Sequence, residues 1–558
     1  MDRQTGPLIV QSDKTVLLDV HDEGFEAGRD GIAPFAELVK SPEHLHTYRI
    51  TPLSLWNAAA VGFTADYVIE ILRSLSRYPV PGSIEYDIRE TIDRFGTVRL
   101  RPEEQDGLLT LEIDDPDVRR ELANQKELAK LFRAEWDRGF LIGLEDRGTV
   151  KQRMMEHGYP VKDEAPLVDG DPLQIPLKET LPGGVPFTIR DYQSQAAASF
   201  LGDGRPGSGY GSVVLPCGAG KTIVGLSVMS ALATNTLILT SNVSATHQWI
   251  RELLEKTELT AEDIGEYSGD VKEIRPITIA TYQILVWRRD TEGPFPHFDL
   301  FRKRNWGLIV YDEVHLLPAP VFRITAEIQA RRRLGLTATL VREDGREADV
   351  FALVGPKRYD APWKELEQQG WIAEAVCQEI RLDLPENLRG GYSVANRREK
   401  FRIASENPDK LAVAKQLVEK HAERSILVIG QYLSQLRVVS EALGVPIITG
   451  QTANKTRDEL YQKFREGQIR VLVVSKVANF AIDLPDASVA IQLSGTFGSR
   501  QEEAQRLGRI LRPKNGQAFF YTLVTRYTVE EEFASNRQKF LTEQGYRYSI
   551  SLWETNHI

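Results

Sequence analysis

Cysteine is scarce in this chain, because Cys217 and Cys377 are the only two among 558 residues. Two thiols cannot form a disulfide framework, and neither lies beside a second Cys or His pair at the spacing of a zinc site. The sequence also lacks a run of about 18 apolar residues, which a membrane span needs, and a basic N-terminal segment followed by an apolar core. These absences predict a protein of the reducing cytoplasm that does not contact a membrane.

Basic charge is not in excess either. The 69 Lys and Arg residues are outnumbered by 79 Asp and Glu residues, which gives a formal net charge of −10. Bulk electrostatics therefore repel a polyanion, and any contact with nucleic acid must come from local patches. The composition of 42% hydrophobic and 27% charged residues is that of a globular protein and excludes long disorder. At roughly 150 residues per domain, the length predicts three or four domains.

Residues 1–99 predict short helices followed by a hairpin. Thr51 is predicted to cap a first helix, and Pro52 lies in the first turn of that helix. Thr64 begins a second helix, and a third helix is expected over 84–95. Two β-like runs follow at 97–100 and 108–113. This is the order of a winged helix, so the region is predicted to be a helical, winged-helix-like domain. Contact with DNA and docking of a protein both fit such a module, and both stay open.

The rest of the chain predicts a different architecture. A linker rich in Asp, Pro and Gly is expected over 164–184. Beyond it, β-branched runs alternate with helical stretches over 210–354 and again over 426–524. Such alternation predicts parallel sheets covered by helices on both faces. The predicted fold class is therefore α/β, with two tandem parallel-sheet domains preceded by a smaller helical and α+β region.

A phosphate-binding loop is the first chemical motif. The sequence Gly218-Ala219-Gly220-Lys221-Thr222 follows an apolar run and opens a predicted helix. In such loops the glycines let backbone N–H groups surround a phosphate, the lysine bridges the β and γ oxygens, and the hydroxyl holds Mg²⁺. A glycine-rich turn with a surface lysine is the alternative.

Two adjacent carboxylates, Asp312 and Glu313, end an apolar strand further along the chain. Beside a phosphate loop, an aspartate at a strand tip can orient Mg²⁺, and the next glutamate can polarise the attacking water. Alternatively, the two carboxylates only cap the following helix.

Two further motifs lie beyond these carboxylates. Thr337 and Thr339 end another strand, where their hydroxyls either link the nucleotide pocket to a neighbouring domain or form a capping turn. Arg509 and Arg512 are three residues apart, so on a helix they share one face and suit the charge on a transferring γ-phosphate. A solvated basic face is the alternative for this pair.

Together these motifs resemble those of superfamily 2 helicases, specifically the XPB-type DNA repair helicases. Residues 218–222 match motif I, 312–315 a DEVH-type motif II, 337–339 motif III and 505–512 motif VI. The tripeptide Arg342-Glu343-Asp344 resembles the RED motif peculiar to XPB proteins and is the most discriminating feature. The similarity covers most of the chain and is greatest to bacterial XPB proteins.

The resemblance implies two RecA-like domains and sets expected boundaries. These are an N-terminal domain over 1–99, a damage-recognition-like domain with linker over 100–175, a first helicase domain over 176–356 and a second over 357–558. Two departures concern strand separation more than ATP hydrolysis. Family members often carry a thumb-like insertion where 384–408 leaves room for a short segment, and motif V usually has Gly-Asp where this chain has Ala478-Asn479.

The implied cofactors are ATP and Mg²⁺, held between the two helicase domains. The resemblance places catalysis at Lys221, Asp312, Glu313, Arg509 and Arg512, nucleotide binding at Arg190, Gln193, Gly218, Ala219, Gly220, Lys221, Thr222 and Gln505, and the metal at Thr222 and Asp312. It assigns coupling between domains to His315, Thr337, Thr339 and Asp483. A packing role is the alternative for His315.

The implied partner is DNA, as single strand, duplex or fork, with a nuclease or another repair protein as a further candidate. The expected DNA contacts are Ser241, Thr246, Thr281, Thr449, Lys476 and Arg500, with Arg342, Glu343 and Asp344 opening the duplex. Helix capping is an equal alternative for each hydroxyl, and a solvated turn is the alternative for the tripeptide.

The sequence thus favours an ATP-dependent 3′-to-5′ DNA helicase or translocase that acts in repair. One alternative is a duplex translocase that serves as the motor subunit of a nuclease assembly, without strong strand separation. Another is an ATP-dependent switch that remodels a protein partner, whose ATPase rate does not respond to DNA.

Overall fold

The computed structural model describes residues 6–40, 44–105, 107–136, 138–202, 207–216, 218–269, 271–290, 295–329, 331–338, 346–361, 366, 375–475, 487–495, 517–535 and 547–553. The chain forms two compact units, of which the first comprises Met1–Leu215 and Gly220–Ala361 and the second Pro216–Ala219 and Pro362–Ile558. Among the described residues, no helix is both long enough and apolar enough to cross a membrane.

The N-terminal module of the first unit combines a small antiparallel sheet with helices. Its elements are β1 (Leu8–Val10), β2 (Thr15–Asp19), α1 (Phe25–Ile32), β3 (Glu37–Lys40), β4 (Leu45–Arg49), α2 (Pro52–Ala60), α3 (Ala65–Leu75) and α4 (Gly82–Arg94). The strand order is β1-β2-β4-β3. The side chains of Thr51 and Thr64 accept hydrogen bonds from the first turns of α2 and α3, which confirms both predicted helix starts. The sheet itself was not predicted from the sequence.

A middle module follows, with a second sheet. Its elements are β5 (Val98–Pro102), β6 (Leu108–Ile113), α5 (Pro116–Ala123), α6 (Lys126–Ala129), β7 (Phe132–Trp136), β8 (Gly139–Gly143), α7 (Arg147–Glu156) and β9 (Val161–Asp163). The strand order is β7-β8-β6-β5-β9. The predicted hairpin exists as β5 and β6, but it is the centre of this sheet, with β8 and β9 on either side. The winged-helix interpretation is therefore wrong, because both edges of the hairpin pair with strands of the middle module. The expected boundary after residue 99 falls inside β5.

The remainder of the first unit is a parallel α/β domain. Its elements are β10 (Thr180–Leu181), β11 (Val185–Pro186), α8 (Asp191–Leu201), β12 (Tyr210–Val214), α9 (Lys221–Leu232), β13 (Thr236–Thr240), α10 (Val243–Lys256), β14 (Ile264–Tyr267), β15 (Ile277–Thr281), α11 (Tyr282–Leu285), α12 (Leu300–Lys303), β16 (Leu308–Asp312), α13 (Ala319–Glu327), β17 (Arg332–Thr337), α14 (Glu347–Asp349) and β18 (Lys357–Asp360). Apart from the β10–β11 hairpin, the strands form one sheet in the order β14-β15-β13-β16-β17-β12-β18. Every pairing in it is parallel.

The predicted end of this domain at residue 356 differs from the structure. Strand β18 follows that position and pairs with β12, so it is an edge strand of the first parallel sheet. The first unit accordingly continues to Ala361.

The second unit contains another parallel sheet. Its elements are β19 (Ala375–Leu382), α15 (Glu386–Val394), α16 (Arg397–Ser405), α17 (Lys410–Lys420), β20 (Ile426–Gly430), α18 (Leu433–Leu443), β21 (Ile447–Ile448), α19 (Asn454–Arg465), β22 (Val471–Ser475), β23 (Val489–Gln492), β24 (Ala518–Thr525) and β25 (Arg547–Leu552). The strand order is β21-β22-β20-β23-β24-β19-β25, and all pairings are parallel. The segment expected to be too short for a helical insertion folds as the helix pair α15 and α16. The two tandem RecA-like sheets are as predicted.

A buried ionic cluster bonds the middle module to the first parallel-sheet domain. Asp163, at the end of β9, accepts hydrogen bonds of 3.0 and 2.8 Å from Arg147 and one of 3.0 Å from Lys151, both on α7. Lys151 also donates to Oε1 of Gln329, beyond α13, at 2.8 Å. Burial alone would raise the pKa of Asp163, but Lys151 and Arg147 outweigh it and hold that pKa below its ordinary value. The cluster therefore stabilises both modules together.

Replacing Asp163 with Asn should destabilise the first unit. The substitution leaves Arg147 and Lys151 buried without their carboxylate, which typically costs about 3–5 kcal/mol of unfolding free energy. Urea unfolding followed by tryptophan fluorescence measures the change. The matched control is Asp117→Asn, because Asp117 pairs with Arg120 at the surface with 83% of its side chain exposed. Equal stability of the two variants would contradict a structural role for the cluster.

Candidate active site

The predicted phosphate loop joins strand β12 to helix α9. Gly218 and Gly220 have φ angles of 83° and 81°, in the left-handed region that favours glycine. These two positions let the backbone turn tightly and start α9 at Lys221. Because α9 is 12 residues long and begins at the loop, its N-terminal N–H groups and dipole favour an anion there.

The first turn of helix α8 lies directly against the phosphate loop. A Cβ atom added to Gly220 would come within 2.5 Å of Nε2 of Gln193, so glycine is required for this close approach. Gln193 is in the first turn of α8, and its Oε1 accepts a hydrogen bond of 3.0 Å from the backbone N–H of Arg190. The structure thus places Gln193 against the phosphate loop, while Arg190 contacts Gln193 through its backbone and Tyr192 through its guanidinium.

Asp312 and Glu313 lie at the carboxyl end of β16, on the same sheet as the loop. Nζ of Lys221 donates to Oε1 of Glu313 at 2.7 Å. Asp312 accepts a hydrogen bond of 3.0 Å from the indole N–H of Trp249 and one of 3.1 Å from the backbone N–H of Glu313. The phosphate loop and the carboxylate pair, which are 92 residues apart in sequence, therefore share one site.

The two carboxylates differ in their electrostatics. Burial, reinforced by the neighbouring Glu313, raises the pKa of Asp312 to about 6. Burial also opposes ionisation of Glu313, but the ammonium of Lys221, together with His315 and the backbone of Ala338, outweighs it and lowers the pKa of Glu313. Glu313 has a φ angle of 50°, which is unusual for a residue other than glycine and stores backbone strain at the site.

His315 and the segment after β17 complete the surroundings of Glu313. Nδ1 of His315 lies 2.6 Å from Oγ1 of Thr337 and 3.5 Å from Oε2 of Glu313. A hydrogen bond from the backbone of Ala338 further lowers the pKa of Glu313. His315 and Thr337 are both buried. The structure thus brings motif II and the start of motif III into contact.

The residues at this site fit Mg²⁺. Asp312 is a half-buried carboxylate whose hydrogen bonds come from neutral N–H groups, and its raised pKa reflects incomplete compensation of its charge. Thr222 supplies a hydroxyl in the first turn of α9. Carboxylate and hydroxyl oxygens are the hard ligands that Mg²⁺ prefers.

The predicted DNA-contacting hydroxyls in the described residues mostly serve the local fold. Thr246 is fully buried and lies 2.8 Å from the hydroxyl of Thr240, so its side chain does not reach a surface where DNA could bind. Thr281 is also buried and caps α11. Ser241 is half-buried beside Asn242, and Thr449 accepts a hydrogen bond from the backbone of Gln451. Helix capping, the alternative given above, describes Thr281, whereas Thr246 lies inside α10 and is buried there.

Several predicted site residues lie outside the described residues. They are Thr339, Arg342, Glu343, Asp344, Lys476, Asp483, Arg500, Gln505, Arg509 and Arg512.

Sequence reasoning missed Trp249 and Tyr282. The ring of Trp249 is buried, and its indole N–H donates a hydrogen bond to Asp312. The hydroxyl of Tyr282 donates to the backbone carbonyl of Asp312 at 3.0 Å. No local sequence signal identifies these donors, because the parallel pairing of β13 and β15 brings α10 and α11 to the end of β16.

Comparison with known proteins gives matches along the whole chain. The family described as ERCC3/RAD25/XPB C-terminal helicase matches residues 366–556, a helicase conserved C-terminal domain matches 8–136, and the res subunit of type III restriction enzymes matches 186–342. A protein of Mycobacterium tuberculosis named DNA 3'-5' helicase XPB is 52% identical over 548 residues, covering 98% of this chain and 97% of its own. A protein of the same name from Kineococcus radiotolerans is 52% identical, covering 98% and 96%. The helicase/translocase subunit XPB/SSL2 of Saccharomyces cerevisiae general transcription and DNA repair factor IIH is 32% identical, covering 98% and 72%.

Replacing Gly220 with Ala should weaken nucleotide binding. A left-handed φ costs a residue with a Cβ atom about 1–2 kcal/mol, and the new methyl group would displace Gln193. We expect roughly tenfold weaker binding of a fluorescent ATP analogue at equilibrium. Gly82→Ala is the control, because a Cβ atom there meets no neighbour within 4 Å. Equal affinity of the two variants would contradict the close approach at Gly220.

Replacing Trp249 with Phe should weaken the use of Mg²⁺ in a pH-dependent way. The indole hydrogen bond lowers the pKa of Asp312, so its loss raises that pKa above about 6 and leaves more of the carboxyl protonated near pH 6. We expect the Mg²⁺ concentration for half-maximal ATPase rate to rise more at pH 6 than at pH 8. Trp306→Phe, which removes an indole bond to the carbonyl of Leu300, is the control and should show no such pH dependence.

Proposed function

The chain belongs to the XPB family of superfamily 2 helicases, and on that premise we propose that it is an ATP-dependent DNA helicase that moves 3′ to 5′ in DNA repair. The observation that carries the proposal is the ion pair of Lys221 with Glu313, which joins the phosphate loop to the carboxylate pair. Family membership implies the use of ATP, and DNA is the proposed substrate.

The proposed hydrolytic step begins with the exchange of partners at Lys221. The triphosphate binds at the N-terminus of α9, where Gly218 to Gly220 provide backbone donors and Lys221 turns from Glu313 to the β and γ oxygens. Glu313 then accepts a proton from the water that attacks the γ-phosphate. A glutamate of ordinary pKa is ionised at neutral pH, and after Lys221 has moved away His315 and the backbone of Ala338 still favour the charged form of Glu313, as this role requires.

The metal ion and the adenine of the nucleotide each have their own proposed contacts. Thr222 and Asp312 hold Mg²⁺, which when bound neutralises charge on the phosphate oxygens. Trp249 fixes the orientation of the Asp312 carboxylate through its 3.0 Å hydrogen bond. Gln193 and Arg190, at the start of α8, recognise the adenine.

Coupling is proposed to start at the Glu313 carboxylate. His315 lies within 3.5 Å of Glu313 and 2.6 Å of Thr337, so movement of Glu313 on nucleotide binding is transmitted to the end of β17. Thr339 is proposed to continue this coupling, and Arg342, Glu343 and Asp344, which follow it in sequence, are proposed to open the DNA duplex.

The second helicase domain is proposed to supply the remaining groups. Arg509 and Arg512 stabilise the charge that develops on the γ-phosphate, Gln505 contributes to nucleotide binding, and Asp483 couples hydrolysis to DNA. Ser241, Thr449, Lys476 and Arg500 contact the DNA backbone without distinguishing bases. Contacts of this kind suit an acidic protein, because they need few cations.

Replacing Glu313 with Gln should abolish turnover and preserve nucleotide binding. The amide keeps the shape of the side chain but cannot accept the proton, so we expect the ATPase rate to fall about 100-fold or more. The rate is measured without DNA and with single strand, duplex and fork, and binding with an ATP analogue. Glu327→Gln is the control, because Glu327 pairs with Arg302 at the surface. Near-normal turnover of Glu313→Gln, or a wild-type rate that no form of DNA changes, would contradict the proposal.

Polarity is tested with partial duplexes that carry a single-stranded tail on one end. A 3′-to-5′ helicase should displace the strand only when the loading strand has a 3′ tail. Displacement of a third strand from a triplex, without separation of the duplex, would instead favour the translocase.

A further inference from the structure

The first unit encloses a cavity where its three modules meet. The walls come from the N-terminal module at Phe95, from the middle module at Lys151 and Lys162, and from the parallel-sheet domain at Tyr210 and Arg358. The cavity has a volume of about 50 Å³, whereas one water molecule needs about 10–15 Å³. It therefore has room for several waters or one small polyatomic ion. Within the described part of the chain, no residue of the candidate active site lines it.

Positive charge is in excess around this cavity. Lys151 and Arg358 line it, and Arg147 and Arg333 lie next to them in the buried cluster. Among the described residues, Asp163 is the only carboxylate bonded to these four cations. Tyr210 lies between them, with Lys151, Arg333 and Arg358 at 5.1, 5.3 and 5.2 Å from its ring centre. Contacts with an aromatic face are too weak to replace a counterion.

Donors remain for an incoming anion. The ammonium of Lys151 has three N–H groups, of which two bond Asp163 and Gln329. Nη2 of Arg333, which lies beside the cavity without lining it, is buried and has no hydrogen-bond partner among the described residues. Lys162 pairs with Glu164 near the surface and marks the rim of the cavity. Burial lowers the pKa of Lys151 to about 7, as expected for a buried cation whose charge is not fully compensated.

We propose that this cavity binds a small tetrahedral oxyanion, with Lys151 and Arg358 as its direct ligands. An anion here supplies the charge that Asp163 alone does not, and it bonds α7 of the middle module to the segment around β18 of the parallel-sheet domain. Two ligands offer a tetrahedral phosphate to this cavity: free inorganic phosphate and the terminal phosphate of a nucleic-acid strand. Bound anion then makes the two modules a more rigid unit.

The test is calorimetric titration of the full-length protein with sodium sulfate at constant ionic strength. The Lys221→Ala background removes the cation of the phosphate loop, which is the other anion site expected in this unit. We expect one saturable site, at least tenfold weaker in Lys151→Met and unchanged in Lys178→Met, whose native lysine bonds a carbonyl at the surface. The absence of saturable binding, or equal affinity in both variants, would overturn the proposal.

A second measurement needs no substitution at Lys151. Sulfate does not titrate near neutral pH, so any proton that is taken up on binding must be taken up by a group of the protein. Titration at pH 7.5 in two buffers of different ionisation enthalpy should show uptake of a fraction of one proton, and affinity should fall as pH rises above 7 because Lys151 loses its charge. Binding without uptake and without pH dependence would exclude Lys151 as a ligand.

Competition then distinguishes the two sources of phosphate. Displacement of sulfate by a 5′-phosphorylated dinucleotide, and not by the same dinucleotide without its phosphate, would support a strand terminus as the ligand. Displacement by inorganic phosphate alone would support the free anion. Failure of both phosphates to displace sulfate would overturn the assignment of the site to phosphate chemistry.

Discussion

The ion pair between Lys221 and Glu313 is the interaction on which the candidate active site depends. It joins the first residue of α9 to the end of β16, and in the sheet β17 lies between β16 and β12, the strand that leads into the phosphate loop. Both charges are largely removed from water, where an unpaired charge would be costly. In the proposed mechanism a triphosphate offers Lys221 a stronger partner, so nucleotide binding would release Glu313. The resting contact would then hold the proposed base in place and unavailable until substrate arrives.

Local motifs in the sequence were sufficient to locate most of this site. The glycines at 218 and 220, the lysine after them and the carboxylates at the end of an apolar run have fixed positions relative to strands and helices. Because parallel strands end at the same edge of a sheet, predicting the strands also predicted that these groups lie near each other. Trp249 could not be identified in this way, because its role follows from the lateral order of β13 and β16, which sequence periodicity does not contain.

The N-terminal half shows the opposite case. The helix starts at Thr51 and Thr64 were predictable because a cap is a local interaction. The arrangement of the β5–β6 hairpin was not, since it depends on β8 and β9, which come later in the chain. The hydroxyl of Thr246 presents the same difficulty, because its burial follows from packing and not from its position after a strand. The charge excess around Tyr210 likewise arises only when residues from α7, β12, β17 and β18 come together.

The pairing of β18 with β12 has a consequence for how the protein is made. Strand β12 ends at Val214, while its outer neighbour is not complete until Asp360. On the ribosome, one edge of β12 must wait for about 150 residues of synthesis, which at 5–20 residues per second takes roughly 7–30 s. During that interval a buried apolar strand has an open edge, and such edges are where chains associate wrongly. Nascent-chain protection by a chaperone therefore matters until residue 360 has emerged.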